Sequence, residues 1–316
     1  MTNTIPVFDL RDYETVGDSL QAEFVQAVGD GYQKYGFVGF THHDVDETIV
    51  SQAYCAFRDF FALPDEIKAQ YHLAGRGGSR GYTGFGVEQA KDHHVPDLKE
   101  FWHIGREVTG ENPYPGILHD NVWPSEIPDF KTYGYQLYQQ LDDLGRRILS
   151  ILAQYLTLPA DWFDDQIRWG NSILRPIHYP PLSEIHPGQV RAARHEDINL
   201  ITLLLGSEEA GLEILDRNNN WHPVTTIPGT IVVNIGDMLQ RLTNHRLPST
   251  THRVVNPPEA RAGQARYSIP FFLHPNPDMP LGVLPQCIDA DNPPRYQRAI
   301  SANDYLLERL REIKLL

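Results

Sequence analysis

From Trp169 to Leu273 the chain reads as a succession of short apolar and β-branched runs divided by turn residues, and this pattern constrains the fold most. The runs are Ser172–Tyr179, a stretch from His195 to Leu205, Gly211–Leu215, Trp221–Val224, Thr230–Ile235, Thr250–Val255 and Tyr267–Leu273. The triplet Asn218-Asn219-Asn220 between the third and fourth runs predicts a hairpin. Many short strands with turn punctuation predict an antiparallel double-sheet jelly roll, that is, a double-stranded β-helix.

Outside this region the apolar period lengthens to three or four, which predicts helices. One opens near Asp18 with Phe24, Val25, Val28 and Tyr32 on one face and ends at Gly36. Others are expected over 46–61, over 129–156 and from Ser301 to about Ile313. Short strands are expected over 5–10, 37–40 and 97–104. The expected class is therefore mostly β with flanking helices, a jelly-roll core packed by N-terminal, central and C-terminal helices. One domain over 1–316 follows, because sheet and helices share a core. It divides into a mainly helical portion with early strands (1–168), a jelly-roll portion (169–275), and a C-terminal tail and helix (276–316).

A formal net charge of −14 disfavours nucleic-acid and anionic-membrane partners. The two cysteines, Cys55 and Cys287, suggest no disulfide framework. The N-terminus lacks a basic segment followed by an apolar one, and no apolar run approaches a membrane span. These features predict a cytoplasmic protein, a monomer or weak homo-oligomer, acting on a small molecule.

The candidate chemistry begins at Arg194-His195-Glu196-Asp197. On a strand, His195 and Asp197 share one face and Glu196 turns to the other. His252, at the end of a later strand-like run, is the candidate for a third ligand. Two imidazoles and one carboxylate can bind a divalent metal while leaving positions open. A zinc hydrolase is the generic rival, but no H-E-x-x-H is present. Arg266 and Ser268 are again two apart on one expected strand face. Phe271 and Phe272 are adjacent, so one must face the core and the other a pocket. His103 reads as a packed or hydrogen-bonded residue, and most remaining histidines, among them His93, His94 and His186, as surface or packing residues. The loop from Gly75 to Gly86 is rich in glycine but holds no G-x-x-x-x-G-K-[ST], so a phosphate cradle is a poor reading.

With His195, Asp197 and His252 followed by Arg266-x-Ser268, and with Ile5-Pro6-Val7-Phe8-Asp9-Leu10 and Tyr35-Gly36-Phe37-Val38 upstream, the sequence resembles a known family. It is similar to the 2-oxoglutarate-dependent Fe(II) oxygenases of the isopenicillin N synthase-like superfamily, over nearly the whole chain. The resemblance implies the jelly roll, Fe(II) on His195, Asp197 and His252, 2-oxoglutarate (2OG) as cosubstrate on Arg266, Ser268 and Tyr179, and O2. It implies oxidation of a small metabolite (hydroxylation, desaturation or ring closure) with release of succinate and CO2. The presence of Asp197 argues against iron-halogenase chemistry. Arg80, Tyr82 and Phe272 fall where relatives meet substrate. For Arg80 a solvated loop residue is the alternative to a substrate contact, the Gly75–Gly86 loop then acting as a lid. Arg266 sits a few positions later than the family spacing, with the polar segment from Pro257 to Gln264 reading as a lengthened turn. Two rivals stay open: an oxidase of the isopenicillin N synthase kind that uses no 2OG, and a catalytically silent jelly roll that binds a small ligand.

Overall fold

The computed structural model describes residues 5–14, 17–75, 79–87, 97–181, 190–205, 211–224, 228–256 and 263–312. The chain runs β1 (Val7–Asp9), α1 (Arg11–Glu14), α2 (Asp18–Tyr35), β2 (Phe37–Thr41), α3 (Glu47–Phe61), α4 (Asp65–Ala69), β3 (Gly81–Thr83), β4 (Glu100–Gly105) and α5 (Pro128–Tyr155). It continues through α6 (Asp164–Ile167), β5 (Ile173–Leu174), β6 (Ile177–Tyr179), β7 (Ala192–His195), β8 (Ile201–Leu205), β9 (Leu212–Leu215), β10 (Trp221–Pro223) and β11 (Ile231–Ile235). It ends with α7 (Asp237–Leu242), β12 (His252–Val254), β13 (Arg266–Ser268), β14 (Pro270–Leu273) and α8 (Ala302–Glu312).

The strands form two sheets. The larger follows the order β1-β2-β11-β8-β14-β5-β4-β6-β13, with β3 beside β4; the smaller follows β10-β9-β12-β7. Neighbours pair antiparallel except β1 and β2, and residues of both sheets line one cavity of about 670 Å³. This is the jelly roll the strand pattern predicts. Helix α5 covers the larger sheet's other face. Leu137, Leu141, Leu144 and Ile148 of α5 join one apolar cluster with Leu203, Phe271 and Leu273 of the sheet. Phe271 meets the Tyr138 ring of α5 edge-on at 5.1 Å, whereas Phe272 lines the cavity. The alternation expected of the two phenylalanines is therefore met.

Three expected strands are broken. The stretch from His195 to Leu205 is two strands in different sheets, and the residues between them, Asp197 included, lie in neither. Asp197 and His195 thus do not share a strand face. Ser172–Tyr179 divides at Arg175-Pro176, where proline has no N–H to offer a ladder. Tyr267–Leu273 divides at Ile269, just before Pro270. Of the loop expected from Gly75 to Gly86, residues 76–78 lie outside the described residues, and Gly81–Thr83 form β3 instead, paired antiparallel with β4 through Tyr82 and Trp102. The turn from Pro257 onwards lies largely outside the described residues.

The start of α7 fixes the segment between β7 and β8. Gly236 N–H donates to Leu200 O at 2.9 Å, Asp237 N–H to Asp197 O at 2.7 Å and Met238 N–H to Asn199 O at 3.1 Å. Glycine is needed here because a Cβ on Gly236 would lie 2.3 Å from Asn199 O. Gly236→Ala is therefore expected to lower stability by about 1–3 kcal/mol, the usual cost of overpacking. Urea denaturation of the two proteins measures it.

Candidate active site

Two residues that face each other across β7 and β12, His195 and His252, bring their imidazoles together. The ring centroids lie 4.3 Å apart. His195 Nδ1 donates to Ala193 O at 2.8 Å, and His252 Nδ1 donates to Thr250 O at 3.1 Å. A carbonyl can only accept, so these bonds place the proton on Nδ1 and turn both Nε2 lone pairs inward. Each Nε2 faces Asp197 Oδ1, at 3.9 Å from His195 and 3.8 Å from His252.

The other oxygen of Asp197 is occupied. Thr202 Oγ1 donates to Oδ2 at 2.6 Å and Asn234 Nδ2 at 2.8 Å. Thr202 and Asn234 are themselves directly opposed on β8 and β11. Asn199 Nδ2 donates to Thr202 Oγ1 at 2.9 Å, so the threonine's single proton is left for Asp197. Burial alone would raise the Asp197 carboxyl; the two imidazoles and these donors reverse that, and the net is below the ordinary value. Burial, with His252 adding to it, depresses His195 to about 4. At neutral pH the cluster therefore holds an ionised carboxylate and an uncharged His195, with ligand atoms of His195, Asp197 and His252 within 4.8 Å of one another. Neutral nitrogen and anionic oxygen donors suit a borderline divalent ion such as Fe(II).

Arg266 and Ser268 both line the same cavity and are buried, as their spacing on β13 predicts. Tyr179 on β6 is the direct cross-strand partner of Arg266, whose guanidinium lies 5.1 Å from the centre of the tyrosine ring. The structure thus brings together His195, Asp197, His252, Arg266, Ser268, Tyr179 and Phe272.

It does not bring in Arg80 or Tyr82. Arg80 is fully buried, with Nε donating to His119 O at 3.1 Å, Nη1 to Ser79 O at 2.7 Å and Nη2 to Asn171 Oδ1 at 3.0 Å. Its neighbours Ser79, His119 and Asn171 line the cavity while Arg80 stands behind them, packed over Gly105. It is not a solvated residue, and it is not among the residues that line the cavity. Tyr82 is turned away as well, and its hydroxyl donates to Glu100 Oε2. That carboxylate also takes Lys68 Nζ at 2.8 Å and His178 Nδ1 at 2.7 Å, on the face of β6 opposite Tyr179. His93, His94 and His186 lie outside the described residues.

Sequence reasoning missed several lining residues. Arg175, Lys99 and His274 all reach the cavity, and α8 adds Leu306, Leu307 and Leu310. His103 is hydrogen-bonded, as expected, but it lines the cavity too. Asn234 gave a usable signal, one polar residue inside the buried apolar run Ile231–Ile235.

Two family profiles match this chain. Residues 170–275 match the 2OG-Fe(II) oxygenase superfamily, and residues 5–126 match the N-terminal region described as non-haem dioxygenase in morphine synthesis. The 2-oxoglutarate-Fe(II) type oxidoreductase hxnY of Emericella nidulans is 33% identical over 92% of this chain and 85% of its own. The chain belongs to the 2OG-Fe(II) oxygenase superfamily. The proline hydroxylase buaE of Petromyces alliaceus is 32% identical over 96% of this chain and 97% of its own. Among solved structures, a 2OG-Fe(II) oxygenase family protein from Caulobacter crescentus superposes with a TM-score of 0.90 at 46% identity, covering 99% of this chain and 100% of that one. A full-length Neurospora crassa protein in complex with alpha-KG and thymine superposes at 0.85 and 30% identity, covering 97% and 96%. This oxygenase is thus an Fe(II)- and 2OG-dependent dioxygenase that acts on a small organic substrate with O2, releasing succinate and CO2. The oxidase and silent-fold alternatives are not favoured.

Two outcomes follow. Thr202→Val and Asn234→Leu, which each remove one donor to Asp197, are expected to weaken Fe(II) binding by about 10–100-fold, the usual effect of losing an outer hydrogen bond to a metal ligand. Anaerobic Fe(II) titration checks this. Arg80→Ala is expected to lower stability by about 2–5 kcal/mol, as for other large buried truncations, while leaving substrate KM unchanged. Denaturation and steady-state kinetics together check both halves.

Proposed function

We propose that His195, Asp197 and His252 are the iron ligands of this oxygenase, and that Arg266, Ser268 and Tyr179 hold the distal carboxylate of 2OG. One observation carries the reading: the imidazole pair with Asp197, and the Arg266–Tyr179 pair with Ser268, open into a single cavity. Bound Fe(II) supplies, with 2OG and O2, the oxidation of a C–H bond in the prime substrate. The protein's residues position and shield. The imidazoles offer Nε2 because their Nδ1 protons are committed to carbonyls, and Asp197 offers Oδ1 because Oδ2 is committed to Thr202 and Asn234. Arg266 meets a carboxylate with a charged fork, the Ser268 and Tyr179 hydroxyls add donors, and burial excludes competing water. Phe272 presents an apolar ring to the substrate.

The whole chain acts as one oxygenase domain in this reading, supported by an apolar cluster that runs from Leu10 to Ala302. All the proposed ligands come from one chain, so a monomer or a loose homo-oligomer suffices. No helix among the described residues is long and apolar enough to cross a membrane. Cys55 and Cys287 are free thiols and the metal is needed reduced, which together support a cytoplasmic setting.

Succinate formation from 2OG, measured with and without Fe(II), tests the activity. His252→Ala is expected to abolish it. Removing a buried charge partner costs about 2–5 kcal/mol, so Arg266→Ala should weaken 2OG binding by roughly 30-fold or more, and Ser268→Ala by less. Substrate oxidation that proceeds without any 2-oxo acid would overturn the assignment.

A further inference from the structure

Phe271 and Leu273 of β14 pack into the core shared with α5 while Phe272 lines the cavity, and the alternation runs one residue past the strand to His274, which lines the cavity too. The main chain of His274 is held at both ends. Its N–H donates to Ser172 Oγ at 3.1 Å, and its carbonyl packs so closely on Gly170 that a Cβ there would lie 1.9 Å from the oxygen. The residue is only 8% exposed. Its ring nevertheless differs from three other imidazoles that line the cavity. His195 and His252 commit Nδ1 to carbonyls, and His103 accepts from Arg175. Among the described residues no hydrogen bond reaches either ring nitrogen of His274. Burial outweighs the opposing charge of Asp197 and lowers the ring to about 4, so it is neutral at working pH.

A polar group kept from water without a partner is unfavourable, and a ligand that meets it recovers the loss. A neutral imidazole offers one N–H and one lone pair, with no charge. The cations of the same wall are engaged: Lys99 with Asp97 at 2.9 Å, Arg309 with Asp237 at 3.1 Å and Arg175 with His103, while Arg266 is assigned to 2OG and Arg194 is exposed. An uncharged ligand therefore suits the position. Asp197 and Arg175 act on His274 in opposite senses. Once Asp197 holds a divalent ion its charge is offset, and the field that remains favours the negative end of a dipole at the ring. A carbonyl oxygen is uncharged, accepts an N–H and presents that end. We propose that His274 is a specificity-determining residue for the prime substrate, donating its ring N–H to a carbonyl oxygen of an uncharged molecule whose apolar part lies against Phe272. This rests on the oxygenase reading of the cavity.

The test titrates anaerobic protein loaded with Fe(II) and 2OG with cyclohexanone, acetophenone and 1-indanone, and with the counterpart of each in which a methylene group replaces the oxygen. For at least one pair the ratio of ketone to alkene affinity is expected to fall about tenfold or more in His274→Leu, the loss of one buried hydrogen bond. His274→Gln keeps an N–H and should retain part of the ratio. A second readout needs no ligand. Replacing a buried polar ring that no other residue meets by an apolar side chain should not cost stability, so the urea midpoint of His274→Leu is expected to equal or exceed the native one. The affinity of both variants for 2OG should stay within about twofold, because Arg266 carries that carboxylate. A ratio unmoved by His274→Leu, or no ketone bound at millimolar concentration, would overturn the proposal. So would a lower urea midpoint, which would make the ring structural, or loss of 2OG binding in His274→Leu, which would make it serve the cosubstrate. Native protein that binds no 2OG would bring down the oxygenase reading and this one with it, a result separate from all the others.

Discussion

An ionised carboxylate taken out of water costs several kcal/mol unless donors meet it, and the placement of Asp197 follows from that cost. Thr202 and Asn234 satisfy one oxygen, and the start of α7 satisfies the main-chain carbonyl. Only Oδ1 is left to face the imidazoles. Each donor makes a demand on the fold. β8 and β11 must pair in the register that opposes Thr202 to Asn234, and α7 must begin at Gly236 for its amides to reach the segment. The demand extends to the C-terminal helix, because Arg309 of α8 forms an ion pair at 3.1 Å with Asp237, the residue whose amide holds Asp197. The wall that α8 gives the cavity is thereby tied to the same few residues.

Directly opposed strand residues recur through the site. His195 faces His252, Thr202 faces Asn234, and Arg266 faces Tyr179. Opposed residues on antiparallel strands have side chains close enough to act on one ligand without long reaches. The arrangement also makes the register of the sheets part of the chemistry. A slip of one residue would turn each of these side chains to the opposite face, so the apolar residues that fix the register also fix the site. Phe271 and Phe272 show this in a single strand, one ring locked against Tyr138 of α5 and the next presented to the cavity.

Much of this was legible in the sequence. The spacing of Arg266 and Ser268, the alternation at Phe271 and Phe272, the helices and the hairpin at Asn218–Asn220 all rest on local periodicity, which the chain obeys. The break at Asp197 was not legible. Ile198–Leu205 is apolar and β-branched almost throughout, and such a run carries no mark of where its strand begins. The break is imposed by tertiary hydrogen bonds from α7, nearly forty residues downstream. The leucines of α8 were ambiguous for a related reason, since an apolar helix face looks the same whether it covers a core or a cavity.

The two arginines separate sequence neighbourhood from physical surroundings. Arg80 lies among glycines and reads as mobile, yet carbonyls and an amide bind its guanidinium behind the cavity wall. Arg175 lies in an apolar strand region and reads as an ordinary strand residue, yet it lines the cavity with its guanidinium between two rings. The net charge of −14 bears on any cation that lines the cavity. An acidic exterior repels small anions, but over a screening length of about 8–10 Å that repulsion fades in physiological salt. Inside, where water is scarce and screening is weak, a fixed guanidinium acts at close range. A cation on the cavity wall can therefore act on an anionic ligand where one on the surface cannot.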